Sequence, residues 1–266
     1  MTAAGPGPVR SVVYRLHFVA AALLGGLWFL LVSLFGLIYL AVTRDRNTSA
    51  HFAHAFSFVV RTFLGWKIDL EGLERLDTSH HPVVIMNRHQ SNLDVVTLGI
   101  FYPFRTVILG KKEIRKIPLF GWFFAATGNI FVDRKNAPKA IESLREASKR
   151  ILEERLSLWV FPEGTRNATR TLGPFKKGAF HMAIEAQIPV LPIASGPLDA
   201  LLDGKRWMVR PGHLRIRFLP EIPTAGLTAD DVDLLAEKVW KAMDEGQRAL
   251  LEGARPPVAG ASRSVA

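Results

Sequence analysis

The hydrophobic pattern divides the chain into two unlike regions. Phe18 to Val42, FVAAALLGGLWFLLVSLFGLIYLAV, carries no charged residue. As a helix rising about 1.5 Å per residue it would extend about 37 Å, enough to enter a bilayer. A cleaved leader would have a shorter apolar core and an A-x-A-like end, whereas TRDRN follows here. Arginines flank both ends, Arg10 and Arg15 before it and Arg44 and Arg46 after it, so the charge bias that orients spanning helices gives no direction. The next stretch, His51 to Trp66 (HFAHAFSFVVRTFLGW), is aromatic and amphipathic, as suits an interfacial helix. Gly25, Gly26 and Gly36 are points at which the apolar helix can break. Two arrangements follow: one spanning helix with a surface helix after it, or a hairpin whose two arms enter and leave on the same side.

From about Gly65 onward the pattern changes to short β-branched runs separated by helical stretches, the alternation of α/β units around a mostly parallel central sheet flanked by helices. The predicted strands are Lys67 to Leu70, Val83 to Met86, Thr106 to Leu109, Ile130 to Asp133, Leu158 to Phe161, Val190 to Ala194 and Leu214 to Phe218. Asn92 to Ile100 and Gly178 to Ala186 read as short helices. Ala137 to Glu154 reads as a longer one, with Ile141, Leu144, Ile151 and Leu152 opposite its charged face. Asp230 to Leu251 is a long amphipathic helix with Thr228 as its N-cap and an acidic first turn. The ending GARPPVAGASRSVA is small, polar and Pro/Gly-rich, the composition of a disordered tail. The organisation expected is a membrane-associated helical segment over 1–64, an α/β domain over 65–252 and a tail over 253–266. Neither repeats nor room for a second full domain are found in 266 residues.

Composition narrows the chemistry. The absence of cysteine excludes disulfides, a thiol nucleophile and thiolate metal sites. His51 and His54 fall on the interfacial arm and His80 and His81 in a loop, so no metal cluster of convincing spacing exists. With 34 Lys and Arg against 24 Asp and Glu, the net charge is +10, which favours an anionic partner: nucleic acid, a phospholipid surface or a phosphorylated substrate. No nucleic-acid-binding motif accompanies the charge.

The stretch NRHQSNLD, Asn87 to Asp94, follows directly on the apolar run PVVIM. Ser91 and Asp94 have the S-x-x-D form of a helix N-terminal box, which puts Asp94 in the first turn and His89 in the strand-to-helix corner before it. A carboxylate so placed can accept an N–H from one ring nitrogen while the other faces outward, the arrangement of a general base. A capping box beside an incidental histidine would give the same octapeptide. A second corner, VFPEGTRN, offers Gly164, Thr165 and Arg166 to a tetrahedral oxyanion, with Glu163 placed to steer Arg166 or bind a substrate hydroxyl. GNIFVDR puts Asp133 and Arg134 at another strand end, and GKKEIRKIPLFGW adds a basic cluster that includes Lys111 and Lys112. Singly these are ordinary loops with solvated charges. Together they set one base and several cations beyond the carboxyl ends of strands, where open α/β sheets bind ligands.

NRHQSNLD with its H-x4-D spacing, GNIFVDR, FPEGTRN and IPVLPIA (Ile188 to Ala194), in that order across about Val83 to Ala194, resemble the four blocks of the glycerolipid acyltransferases, specifically the 1-acyl-sn-glycerol-3-phosphate acyltransferase family. One departure is Arg88, where the family motif often has asparagine, which adds a cation beside the base. The resemblance implies an α/β acyltransferase domain held at a phospholipid membrane by N-terminal hydrophobic helices and facing the cytoplasm. It would move a fatty acyl chain from acyl-CoA or acyl carrier protein to lysophosphatidic acid, giving phosphatidic acid, with no resident cofactor. His89 would be the base and Asp94 its orienting partner. Gly164, Thr165 and Arg166 would hold the phosphate, with help from Lys111 or Lys112 and Arg134. Direct attack on the thioester agrees with the lack of both cysteine and a G-x-S-x-G elbow. The same motifs would serve another acceptor, such as glycerol 3-phosphate or another lysophospholipid. A module that only bound phosphatidate would need the cations but not His89 and Asp94.

Overall fold

The computed structural model describes residues 8–79, 81–133, 136–252 and 263–264. It opens with two helices, α1 (Pro8–Thr43) and α2 (Thr48–Leu64), that lead into strand β1 (Trp66–Glu71). The α/β alternation follows: β2 (Val84–Asn87), α3 (Asp94–Leu98), β3 (Thr106–Lys111), α4 (Phe120–Ala126), β4 (Ile130–Val132), α5 (Ala137–Glu154), β5 (Ser157–Val160), α6 (Gly178–Glu185) and β6 (Val190–Ser195). A short hairpin, β7 (Leu202–Asp203) and β8 (Met208–Val209), precedes β9 (Gly212–Phe218), the long helix α7 (Val232–Glu252) and the two-residue strand β10 (Arg263–Ser264). Apart from β10, the segment 253–266 lies outside the described residues.

The eight-stranded sheet has the order β10-β1-β9-β6-β2-β5-β3-β4. Every pair from β6 to β4 is parallel, as is β1 with β9; the β6–β9 and β1–β10 pairs are antiparallel. All seven strands expected from the sequence are present, each within about two residues of its predicted bounds. The continuous apolar runs arise because the central strands are covered on both faces. Along β2, Ile85 joins the core under α2 and α4, while Val84 and Met86 join the core under α5, α6 and α7; along β5, Trp159 and its neighbours Leu158 and Val160 divide in the same way. Helix α7 starts from a capping box between Thr228 and Asp231, whose first turn is a 3₁₀ turn. Those Thr228 hydrogen bonds hold the Asp231 carboxyl below its usual pKa.

Two features of the N-terminal region depart from expectation. None of the three glycines breaks α1, which is one 36-residue helix. Gly36 instead permits contact: a Cβ there would lie 2.5 Å from the Phe123 ring on α4. The second departure is α2, whose inner face of Phe52, Phe56, Val60 and Leu64 lies in the same core as Trp66 and Ile68 of β1. Position 64/65 is therefore not the edge of a separate core, and Trp66 belongs to the sheet. Helix α1 runs back along α2 through Gly25 against Val60, Phe29 against Phe52 and Phe56, and Tyr39 against His51. Its opposite side, including Leu23, Leu27 and Leu31, is exposed.

Candidate active site

The carboxyl ends of the parallel strands share one edge of the sheet, and β2, at its middle, delivers the corner that begins with Arg88. His89 Nδ1 lies 2.5 Å from Asp94 Oδ2. The same oxygen accepts the backbone N–H groups of Gln90 at 2.8 Å and Ser91 at 3.1 Å, and Asp94 is only 3 % exposed. Three donors converging on one carboxylate oxygen fix its position, and that fixes the ring. The His89 imidazole also stacks on Phe161, with centroids 4.2 Å apart and planes 18° apart. With Nδ1 donating to Asp94, Nε2 is left without a hydrogen-bond partner among the described residues, on a side chain that is 25 % exposed. The expected box at Ser91 forms only by half. Asp94 takes the Ser91 N–H, but the Ser91 hydroxyl accepts from Leu93 N–H and α3 begins at Asp94 itself. The carboxylate has been drawn to the histidine corner.

The corner after β5 lies against this one. Asn167 N–H donates to the His89 carbonyl at 2.7 Å, and Arg166 Nη1 donates to Asn92 Oδ1 at 3.0 Å. Asn92 was not singled out from the sequence, although it sits inside the H-x4-D stretch; its partner could be found only once the two corners were adjacent. Gly164 turns the loop at φ +71°, a conformation that suits glycine, and Thr165 and Arg166 are exposed beside it. An imidazole whose Nε2 has no hydrogen-bond partner among the described residues thus shares this corner with Asn92, which receives the Arg166 guanidinium.

The acyltransferase family pattern matches residues 67–196. The chain is 34 % identical over 233 residues to the 1-acyl-sn-glycerol-3-phosphate acyltransferase of Saccharomyces cerevisiae, covering 87 % of this chain and 74 % of that one. It is 33 % identical over 228 residues to the human 1-acyl-sn-glycerol-3-phosphate acyltransferase alpha, covering 85 % and 80 %. The chain belongs to the 1-acyl-sn-glycerol-3-phosphate acyltransferase family. The crystal structure of the 1-acyl-sn-glycerophosphate (LPA) acyltransferase of Thermotoga maritima shares its fold, with a TM-score of 0.74 at 24 % identity over 94 % of this chain and 99 % of that one.

In this acyltransferase, Glu163 neither steers Arg166 nor faces a substrate hydroxyl, as its place in the sequence had suggested. It is 5 % exposed and points inward: Oε1 accepts His89 N–H at 3.3 Å, and Oε2 accepts Asn167 Nδ2 at 2.8 Å and Gly173 N–H at 2.9 Å. It ties the two corners together from behind. Arg88, expected as a cation beside the base, is likewise turned inward and 1 % exposed, with Nη2 donating to the Thr169 carbonyl at 2.5 Å and the Asn167 carbonyl at 3.3 Å. Burial lowers its pKa from the usual arginine value, against the pull of Glu163, Asp94 and Asp199.

The outlying cations are placed less uniformly. Lys111 is exposed at the end of β3, two strands from β2 and so about 10 Å across the sheet. Lys112 Nζ is paired with Asp133 Oδ2 at 2.5 Å, which raises its pKa. Arg134 lies outside the described residues. Among the described residues no group of three or more histidines and carboxylates is placed to hold a metal ion.

Proposed function

We propose that this protein transfers a fatty acyl chain from acyl-CoA or acyl carrier protein to the sn-2 hydroxyl of 1-acyl-glycerol-3-phosphate, forming phosphatidic acid at a membrane surface. The observation that carries this reading is the His89–Asp94 pair at the carboxyl edge of the sheet, with Arg166 hydrogen-bonded into the same corner. His89 Nε2 takes the proton of the acceptor hydroxyl as its oxygen attacks the thioester carbonyl. Asp94 holds the Nδ1–H tautomer and balances the imidazolium that forms. When the tetrahedral intermediate collapses, the C–S bond breaks and the imidazolium returns its proton to the thiolate. Arg166, Thr165 and the Gly164 turn would hold the acceptor phosphate, with Lys111, and Lys112 or Arg134 beyond it, extending the basic field. Glu163 supports this site from within.

Helix α1 is long and apolar enough to cross a membrane. The α/β unit packs along it from Phe18, beside Trp207, to Gly36, beside Phe123. A perpendicular crossing would carry that polar unit into hydrocarbon, so the contacts support α1 lying along one leaflet with its exposed leucines in lipid. The catalytic edge would then meet the cytoplasmic surface, the side on which both thioester donors are found.

The purified full-length chain, given one labelled acyl-CoA and equal amounts of lysophosphatidate, glycerol 3-phosphate and lysophosphatidylglycerol, is expected to label phosphatidate. Preferential labelling of either other product would overturn the assignment of acceptor. Arg166→Ala is expected to lower kcat/KM for lysophosphatidate by about 10- to 100-fold, mostly through KM, because a charged hydrogen bond contributes about 1.5–3 kcal/mol. The donor KM should change less; equal losses for donor and acceptor would move Arg166 to the donor's phosphates.

A further inference from the structure

Between β6 and β9 the chain makes an excursion that the chemistry does not use. It passes through a single 3₁₀ turn, Leu198–Ala200, and folds back as the β7–β8 hairpin. The tip, Gly204 to Trp207, is exposed throughout. Trp207 is 61 % exposed and stands at φ +56°, a left-handed backbone that a bulky residue rarely adopts. Met208 and Val209 are buried directly behind it, so the indole is displayed from a fixed base. Its ring lies 6.0 Å from Phe18, and the Arg210 guanidinium lies 6.0 Å from the ring of Tyr14. The hairpin therefore flanks α1 where the uncharged run begins. Lys205 and Arg206 are exposed at the tip, Arg210 is half-buried behind it with Nη1 donating to the Ala200 carbonyl at 3.1 Å, and α1 carries Arg10 and Arg15 on exposed positions before and after Tyr14. Asp203, 3.8 Å from Arg206, is the only acid in the hairpin.

We propose that the β7–β8 hairpin is a second membrane contact, with Trp207 seated in the interfacial layer and Lys205, Arg206 and Arg210 binding the phosphates of anionic phospholipids. This rests on the reading of α1 as lying along a leaflet. An indole with an apolar body and a polar N–H prefers the headgroup level, and clustered cations gain from an anionic leaflet. The hairpin is continuous with the lipid-facing helix through the Phe18 and Tyr14 contacts. It also connects to the catalytic corner: Gln90, next to His89, donates from Nε2 to the Gly196 carbonyl and accepts Leu198 N–H at Oε1. Those bonds clamp the segment that enters the hairpin, so the depth of Trp207 sets the height of His89 above the surface.

Because the chain has no cysteine, single sites can be labelled in the full-length protein. An environment-sensitive fluorophore is placed on Lys205→Cys in the hairpin, Val12→Cys on α1 or Glu153→Cys on α5, with phosphatidylcholine vesicles that contain or lack phosphatidylglycerol. The labels at 205 and 12 should shift to the blue and become shielded from an aqueous quencher, and the label at 153 should not. Lys205→Gln with Arg206→Gln should weaken partition onto phosphatidylglycerol vesicles by about 30-fold, at about fivefold per cation, while leaving turnover of a short-chain monomeric acceptor unchanged. Trp207→Gly suits the left-handed backbone and should weaken partition onto both vesicle types. Shielding at 12 with full quencher access at 205 overturns the hairpin contact and leaves the reading of α1 standing, whereas quencher access at both overturns the reading of α1 as well.

Discussion

His89→Ala is expected to lower turnover by about 10² to 10⁴, the range associated with loss of a general base, while leaving the fold intact. The imidazole is partly exposed and stacks on Phe161, which is itself only half-buried, so little core is lost. Asp94→Asn should lower the rate as well, and with a cost in stability, because the carboxylate is buried and its Oδ2 accepts two backbone N–H groups besides the histidine. An unsatisfied buried donor costs about 1–3 kcal/mol. The two substitutions are therefore distinguishable: thermal unfolding in detergent should show His89→Ala near the parent and Asp94→Asn below it. A folded His89→Ala protein that turns over lysophosphatidate at close to the parent rate would end the general-base mechanism.

The second large effect is expected at Glu163 and on stability. Its carboxylate accepts three hydrogen bonds at the junction of the corners after β2 and β5 and is the first charge that offsets the burial of Arg88. Arg88 Nε and Nη1 already lack partners among the described residues, so removing Glu163 leaves an under-compensated buried cation. Breaking such an arrangement costs about 3–5 kcal/mol. For a chain of this size that corresponds to a fall in Tm on the order of 10 °C in Glu163→Ala. Glu163→Gln should fall less, since its amide oxygen can still accept from Asn167 and Gly173 and only the bond from the His89 N–H is lost. Unchanged Tm with a raised acceptor KM in Glu163→Ala would return the residue to the substrate.

These two residues also mark how far the sequence could be read. The contact between His89 and Asp94 was legible because a fixed spacing within one corner leaves little freedom, and the strands were legible because burial on both faces writes uninterrupted apolar runs. Glu163 was misjudged because a carboxylate in a glycine-rich corner looks the same whether it faces solvent or the neighbouring corner. Its orientation depends on Asn167, Gly173 and the His89 backbone, which converge only through the β2–β5 pairing. Arg88 was misread for the same reason. Asn92 went unnoticed although it lies inside the motif, because its role is to receive Arg166 from 74 residues away. The amphipathic character of α2 was evident, but periodicity says that a face is apolar and not whether protein or lipid covers it. No local pattern distinguished the β7–β8 hairpin, whose strands are two residues each.

The position of β1 has a consequence for how the protein is made. This strand follows immediately after the two N-terminal helices, yet it takes no place beside β2; it pairs with β9, and Trp66 Nε1 bonds to the Arg210 carbonyl, 144 positions further along the chain. At ordinary translation rates of about 5–20 residues per second, that interval lasts on the order of ten seconds. Throughout it the nascent chain holds an unpaired strand edge, while the aromatic face of α2 has only α1 to cover it. On the reading of α1 as lying along a leaflet, the same lipid surface would shelter that edge during the wait, so the N-terminal segment would also guard the half-built sheet against aggregation.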